Sequence, residues 1–257
     1  MKQAAPTDPA MSFSTRSVRR INGSIADWLG RKIVSGDLAE GEQVPTEMDF
    51  IQQAGVSRSA YREALRQVAG KGMLISRTRS GTRVAPREAW TLLDPDVVRW
   101  FFDSGPPPDW FIRAMYELRS MIEPAAAGFA AQRRTEADLD AFRSALHAMR
   151  TCEMTETSWH QADAGFHRAL LRSSQNPVLI TLEAGICAAV AFTTAFRYRD
   201  MPNPHTRNPV DEHAAVFERI EAGDASGAHR LMAQLVDTAL LDTSGATVFD
   251  LKTAPSP

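Results

Sequence analysis

Three arginines in the first third of the chain have the spacing of a nucleic-acid contact. Arg58, Arg62 and Arg66 fall at i, i+4 and i+8, so a helix places their guanidinium groups on one side. Tyr61 and Val68 belong to a separate apolar side. An arginine-fronted helix fits the major groove, where guanidinium groups reach guanine edges and phosphates. A solvated basic face explains the same spacing, and the flanking segments decide between the two interpretations.

A carboxylate and two histidines later in the chain form a candidate metal site. Asp163 and His167 are i and i+4 on a predicted helix, so their side chains point the same way. His213 lies on the apolar side of another predicted helix. Because a buried carboxylate must be paired or bind a metal, the set suits zinc or another divalent transition ion. The alternative is that Asp163 hydrogen-bonds His167 and that His213 lies elsewhere.

Arg119 is a candidate receptor for a carboxylate ligand. It is in phase with Met115 and Ile122, on the inward side of a predicted helix. A buried guanidinium needs an anion, and it binds carboxylates in bidentate fashion. That anion is either a ligand from solution or the side chain of Glu123, one helical turn away. The sequence alone leaves both possibilities open.

The arginine helix needs a scaffold, and its flanking residues predict a helix-turn-helix. A first helix is expected from about 24 to 35, and a second begins after the capping residue Thr46. Gly55 makes a tight turn into the arginine helix at 57–70. Two helices joined by a glycine-containing turn are typical of DNA-binding domains.

Two β-prone runs at 73–76 and 82–85 follow, and residues 77–81 join them as a hairpin loop. Such a wing can touch the sugar-phosphate backbone beside the groove. Its basic residues are Arg77, Arg79 and Arg83. Residues 16–88 are therefore predicted to form a winged helix-turn-helix domain.

The rest of the chain is predicted to be helical, so the fold class is mainly α. Residues 89–108 are expected to form a linker helix that packs on both domains. Residues 109–243 are expected to form an all-α bundle for effector binding and dimerisation, with tails at 1–15 and 244–257 disordered. The six predicted helices of the bundle are 109–133, 135–151, 156–173, 177–199, 209–222 and 225–241.

Composition and charge limit the class of protein. The 257 residues are enough for two domains, and 44% are hydrophobic. No apolar run long enough for a membrane span and no secretory leader is present, so a cytoplasmic protein is expected. Residues 14–88 hold 13 Lys+Arg against 8 Asp+Glu, and residues 89–257 hold 15 against 22. A basic first third on an acidic body favours a polyanionic partner such as DNA.

The first part of the sequence resembles the DNA-binding domain of GntR-type bacterial transcription regulators. The matching pieces are Ile33–Leu38, Gly41, Val44–Glu47, Gly55–Arg58, Arg62–Leu65, Gly72–Leu74 and Gly81–Val84. The resemblance implies that Arg58 and Arg62 contact double-stranded operator DNA and that the Gly81 region is the wing tip. The full set of predicted DNA contacts is Thr46, Arg58, Ser59, Arg62, Arg66, Arg79, Gly81 and Thr82. Many members carry an arginine where this sequence has Met48, so operator choice is expected to differ.

Residues 109–241 resemble the FCD effector domain of the FadR subfamily. Many such domains bind a metal through an Asp-x-x-x-His pair and two later histidines, and Asp163, His167 and His213 match three of these ligands. The fourth position is Leu235, which is not a ligand. Three ligands would leave coordination positions open for effector oxygens.

The effector set also follows from the resemblance. In related FCD domains the arginine that matches Arg119 holds the effector carboxylate. The pieces Ala85–Trp90 and Leu93–Trp100 are similar to galactonate-responsive repressors, which place an aromatic residue near Tyr198. Thr194 is a weaker polar candidate, and His205 is weaker still.

The sequence therefore predicts a homodimeric transcription repressor that a small carboxylate, most simply a sugar acid, releases from its operator. Two alternatives remain open at this level. An open metal site can activate water, which describes a metal-dependent enzyme acting on sugar-acid derivatives. The third possibility is constitutive DNA binding with a vestigial pocket.

Overall fold

A computed structural model describes the backbone of residues 18–77, 81–200 and 208–243, and the side chains of residues 25–76, 81–198 and 208–243. The predicted tails, Arg79 and His205 lie outside the described residues. Backbone contacts divide the chain into two compact units, with the division between Pro106 and Pro107. The mainly α fold is confirmed.

Three helices begin the first unit, and their caps explain where they start. They are α1 (Val18–Val34), α2 (Glu47–Ala54) and α3 (Arg58–Gly70). The Thr46 hydroxyl accepts from the backbone N–H of Asp49, and the Ser57 hydroxyl accepts from that of Ala60. Gly55 closes α2 with a φ of 66°, a left-handed conformation that glycine adopts without strain.

The predicted start of α1 at about residue 24 is wrong, because the chain is already helical at Val18, the first described residue. Ser24 is a good capping residue, and its presence suggested a beginning there. A capping preference of about 1 kcal/mol does not stop a helix when no proline precedes it.

Three aromatic residues connect the helices of the first unit. The ring centroids of Trp28 and Phe50 lie 5.1 Å apart, and those of Phe50 and Tyr61 lie 4.5 Å apart. The Tyr61 hydroxyl donates to the carbonyl of Pro45 at 2.5 Å. Because Tyr61 and Val68 are both buried, the apolar side of α3 is fixed against the core.

The wing is an antiparallel pair formed by β1 (Leu74–Arg77) and β2 (Gly81–Val84). Each strand lies within one residue of its predicted position. Gln43 forms a further bridge to Arg83, so a third segment borders the hairpin. Gly81 has a φ of +76°, and a Cβ there would lie 2.7 Å from the Gln43 amide nitrogen.

Helix α4 (Pro95–Asp103) follows a short 3-10 helix at Arg87–Ala89 and packs on α1 within the first unit. The Trp100 ring is buried, and its Nε1 donates to Asp27 Oδ1 at 2.8 Å. Arg99 Nη2 donates to the same oxygen at 2.6 Å. The segment predicted as a linker is thus anchored to α1 by packing and by a shared carboxylate.

Seven helices make up the described part of the second unit. They are α5 (Asp109–Arg133), α6 (Glu136–Thr151), α7 (Thr157–Ser173), α8 (Pro177–Thr181), α9 (Glu183–Asp200), α10 (Pro209–Glu221) and α11 (Ala225–Thr243). The single helix predicted at 177–199 is therefore two. The break falls at Leu182, whose N–H bonds the carbonyl of Leu179, three residues back, so the chain tightens before α9.

The core of the second unit lies around α7. This helix packs against α5, α6 and α9, while α11 packs along α5 and α10. The Phe166 ring lies edge-on to Phe142 at 5.0 Å, and Phe142 reaches Phe217 of α10 at 5.8 Å. Three helices thereby converge beside the side chains of α7. Among the described helices, none is long and apolar enough to cross a membrane.

The contact of α4 with α1 can be tested at Gly30. A Cβ at this position would lie 2.2 Å from the Trp100 ring, so Gly30→Ala must displace the indole. We expect a loss of about 1–3 kcal/mol in the free energy of unfolding, measured by urea denaturation. Gly70→Ala is the control, because nothing lies within 4 Å of its added Cβ. Equal stability of the two variants would contradict this packing.

Candidate functional site

Helix α3 presents three guanidinium groups on its exposed side. The side chains of Arg58, Arg62 and Arg66 are 76%, 69% and 78% exposed. The opposite side, with Tyr61 and Val68, is buried. The structure therefore combines an anchored apolar back with a solvent-facing cationic front, as a helix that enters a groove requires.

Glu47, the first residue of α2, connects two of these arginines. Its carboxylate accepts from Arg62 Nε at 2.6 Å and lies 3.7 Å from Arg58 Nε. Exposed ion pairs of this kind are worth about 0–1 kcal/mol, so a phosphate can replace the carboxylate. From the sequence alone, Glu47 is only the residue that follows the capping residue Thr46. Its pairing with α3 depends on how the two helices cross.

Three other residues predicted to contact DNA, Thr46, Ser59 and Thr82, have local partners. The Thr46 hydroxyl donates to Asp49 Oδ2 at 2.7 Å, while Ser59 Oγ lies 3.0 Å from Ser57 Oγ. The Thr82 hydroxyl lies 3.2 Å from that of Ser76, across the wing. Arg83, expected to serve the wing tip, instead donates to the carbonyl of Gly41 at 2.9 Å. Its guanidinium therefore braces the base of the hairpin.

The second unit brings Asp163, His167 and His213 together. All three are buried, and one ligand atom from each lies within 4.8 Å of the other two. Asp163 Oδ1 is 3.0 Å from His213 Nε2 and 3.5 Å from His167 Nε2. Asp163 Oδ1 and His213 Nε2 nevertheless lack a partner with hydrogen-bond geometry. Convergent buried donor atoms that do not satisfy one another are what a bound cation requires.

Each member of this cluster is oriented by a second contact. His213 Nδ1 lies 2.7 Å from the carbonyl of Pro209, so this nitrogen donates to the carbonyl and Nε2 faces Asp163. Thr194 Oγ1 donates to Asp163 Oδ2 at 2.9 Å, which leaves Oδ1 for the cluster. His167 Nδ1 faces Glu123 Oε2 at 3.1 Å. Such outer contacts are typical of metal ligands.

The donor set fits a divalent transition ion held by two imidazoles and one carboxylate. Leu235, at the position expected for a fourth ligand, is buried and has no donor atom. The cluster found among the described residues thus contains three protein ligands. Sites of this type keep positions open for water or a ligand.

Arg119 is paired inside the protein. Its Nε donates to Glu123 Oε1 at 2.8 Å and its Nη2 to Oε2 at 3.4 Å, with both side chains buried. Burial alone would raise the pKa of Glu123, but Arg119 and His167 oppose it and bring that pKa down to about 2. Of the two anions considered for Arg119, the structure shows the internal one.

Tyr198 and Thr194 both lie on α9, close to the cluster. The Tyr198 ring is edge-on to Trp159 at 5.4 Å and stacked parallel to His160 at 6.5 Å. His160 was not singled out from the sequence, although it precedes Asp163 by three residues on α7. His160, Asp163 and His167 are spaced i, i+3 and i+7, and this spacing could have placed His160 on the same side of the helix as the other two.

Arg197 is a second buried guanidinium beside the cluster, and the sequence did not identify it. Its residue is 6% exposed, and its Nη2 donates to the Tyr198 hydroxyl at 3.2 Å. Its Nε is buried without a hydrogen-bond partner. Helix α9 is apolar on most sides, so helical periodicity does not show which side faces inward.

Comparison with known proteins identifies the two parts. Residues 22–84 match the bacterial regulatory proteins of the gntR family, and residues 114–238 match the FCD domain. The galactonate operon transcriptional repressor of Escherichia coli K12 is 33% identical over 204 residues, which cover 79% of this chain and 87% of that protein. The chain belongs to the GntR family of bacterial regulatory proteins.

Further relatives agree with this assignment. The putative L-lactate dehydrogenase operon regulatory protein of Escherichia coli K12 is 30% identical over 218 residues, or 83% of each chain. In fold, this GntR regulator is similar to Lar of Listeria monocytogenes, with a TM-score of 0.63 and 17% identity over 90% of this chain and 99% of that one. This GntR regulator is a DNA-binding transcription regulator with an FCD effector domain, and not an enzyme.

The charge on His167 makes a testable pH dependence for the metal-depleted GntR regulator. Burial lowers the pKa of His167, but the neighbouring carboxylates of Glu123 and Asp163 raise it by more than burial lowers it. The resulting pKa is about 9. Because this pKa exceeds the unfolded value of about 6.5, the stabilisation is complete below about pH 6.5 and is lost as the pH rises through about 9. The melting temperature of chelator-treated protein should therefore fall between pH 7 and pH 10.

His167→Gln is the control, since it cannot titrate in this range. Its melting temperature should depend less on pH than that of the chelator-treated wild-type protein. Parallel profiles for the two proteins would contradict a charged His167 in the cluster.

Proposed function

We propose that this protein is a metabolite-responsive repressor, released from its operator by a small hydroxy acid that binds at a metal site in the FCD domain. The observation that supports this most is the cluster of Asp163, His167 and His213, whose buried donor atoms converge without satisfying one another. A divalent ion, with zinc the best match to the ligand types, would be held by these three residues.

The chemistry of the effector follows from the metal coordination positions that the three protein ligands would leave open, and from the buried guanidinium groups nearby. A bound divalent ion would offer coordination positions to oxygen ligands, which a carboxylate with a neighbouring hydroxyl can fill together. Arg119, Thr194 and Tyr198 are the effector contacts expected around it. The two relatives are named for the galactonate and L-lactate dehydrogenase operons, and galactonate and lactate are both 2-hydroxy acids. We therefore favour a 2-hydroxy acid, with sugar acids first.

The DNA-binding half of the proposal rests on α3 and the wing. A homodimer would place two copies of α3 in successive major grooves of a pseudo-palindromic operator in the cytoplasm. Arg58 and Arg62 would read bases or phosphates, and Arg66, Ser59, Thr46 and the wing residues Arg79, Gly81 and Thr82 would contact the backbone. An effector that binds two dimer arrangements unequally shifts the population between them and lowers operator affinity.

Arg58 provides the test of base recognition. Arg58→Ala should weaken operator binding by roughly 1–3 kcal/mol and should weaken random DNA less, because base contacts carry sequence preference. Fluorescence anisotropy at fixed salt measures both affinities. Arg143→Ala, which removes an exposed arginine of α6 in the other unit, should change neither. Equal losses on operator and random DNA would assign Arg58 to phosphates only.

The effector half is tested by ligand-dependent melting. Galactonate, gluconate and lactate are added to zinc-loaded and chelator-treated protein, and operator release is followed in parallel. At least one acid should raise the melting temperature only when zinc is present and should release DNA, because it binds the folded domain through the metal site. His213→Ala should abolish both effects. A protein that binds the operator but responds to no acid would be a constitutive binder.

A further inference from the structure

We propose that Arg197 is a receptor for the carboxylate of the effector, and that Arg119, besides its expected effector contact, positions a metal ligand through Glu123. This inference rests on the proposed function, since it assumes that an acid enters the FCD domain. It assigns different tasks to two arginines that are both buried in the same bundle.

The partners of the two guanidinium groups differ. Arg119 has a two-pronged ion pair with Glu123, at 2.8 and 3.4 Å. Arg197 has no carboxylate of the described residues within ion-pair distance, and its Nη2 donates to the neutral Tyr198 phenol at 3.2 Å. Its Nε, buried and without a partner, lacks the acceptor that a carboxylate would provide. The unsatisfied receptor is therefore Arg197.

Arg197 also lies in the right place. It follows Thr194 by three residues on α9, so the two side chains share a side of that helix. Thr194 donates to Asp163 Oδ2, which places this side of α9 against the metal cluster. The Arg197 guanidinium lies 4.7 Å from the Tyr198 ring.

The balance of buried charge favours an anionic ligand. Among the described residues of the second unit, the buried guanidinium and carboxylate groups are two of each: Arg119 and Arg197, Glu123 and Asp163. A divalent ion on neutral imidazoles adds two positive charges that these four groups do not offset. A carboxylate at Arg197 reduces the excess where a neutral sugar would not.

Arg119 has a task that does not need the effector. Its partner Glu123 places Oε2 3.1 Å from His167 Nδ1, so one carboxylate serves both the guanidinium and the imidazole. Fixing the orientation of His167 leaves Nε2 facing Asp163. Arg119 is thus a positioning residue for the cluster.

Stability of the ligand-free protein separates the two roles. Arg119→Met leaves Glu123 as a buried carboxylate without its guanidinium, and should lower the melting temperature by at least about 5 °C. Arg197→Met removes a poorly paired buried charge, and should leave the melting temperature unchanged or raise it. A large loss for Arg197→Met would make Arg197 a structural residue and would overturn the proposal.

Binding supplies the decisive measurement, on the zinc-loaded full chain by titration calorimetry. The probes are galactonate, gluconate and lactate, each with its neutral amide. Arg197→Met should weaken the binding of the acids at least about 10-fold and the binding of the amides less than about threefold. Only the acids present a negative charge to the Arg197 guanidinium. Arg197→Lys should recover part of the loss, and zinc affinity should stay unchanged.

The outcomes distinguish this inference from the function on which it rests. If the wild-type protein binds an acid and Arg197→Met binds it equally well, Arg197 is not the receptor, although the proposed function stands. Equal weakening of acid and amide would also overturn the carboxylate assignment. If the wild-type protein binds none of the three acids, the proposed function fails and the role of Arg197 fails with it.

Discussion

A single carboxylate in an apolar interior, that of Asp163, organises the second half of this protein. Asp163 is buried on α7, where an ionised side chain is stable only if it is surrounded by donors or cations. Helices α9 and α10 supply these through Thr194 and His213, and α7 itself supplies His167. The packing of three helices around α7 and the polar contacts of Asp163 therefore depend on each other. Removing the carboxylate would leave the Thr194 hydroxyl without its acceptor and the two imidazoles without their neighbouring negative charge.

The buried charges form two connected levels. Around Asp163 lie the imidazoles that can hold a cation, and behind them Glu123 joins His167 to Arg119. In the second level Arg119 and Glu123 pair with each other, whereas the buried Nε of Arg197, at the other edge of the cluster, has no hydrogen-bond partner. The cluster therefore has an internally paired arginine, Arg119, on one side and an incompletely paired arginine, Arg197, on the other. This difference is a physical basis for a ligand pocket. The first keeps the ligand atoms in place, and the second leaves binding energy for the effector.

Much of this arrangement can be predicted from local sequence, because caps and helical spacing are local. Thr46, Gly55 and Ser57 indicated the helix-turn-helix, and the i, i+4 spacing of Asp163 and His167 indicated a shared side. Other features depend on tertiary packing. Helix α9 is apolar on several sides, so Arg197 was indistinguishable from a surface arginine. The choice of Glu123 as partner for Arg119, and the break at Leu182, also depend on how helices meet.

The acidic residue at the start of α2 gives the DNA-facing surface a further property. Glu47 contacts Arg58 and Arg62 before any polyanion arrives, so these two cations begin partly neutralised. DNA of random sequence attracts the arginines of α3 only through the charge of its phosphates. The Glu47 carboxylate opposes this attraction, because it repels the same phosphates. A matching site can offset that repulsion with directed contacts to bases. An internal anion of this kind would shorten the dwell time on unrelated chromosomal sequence and leave more protein free to search.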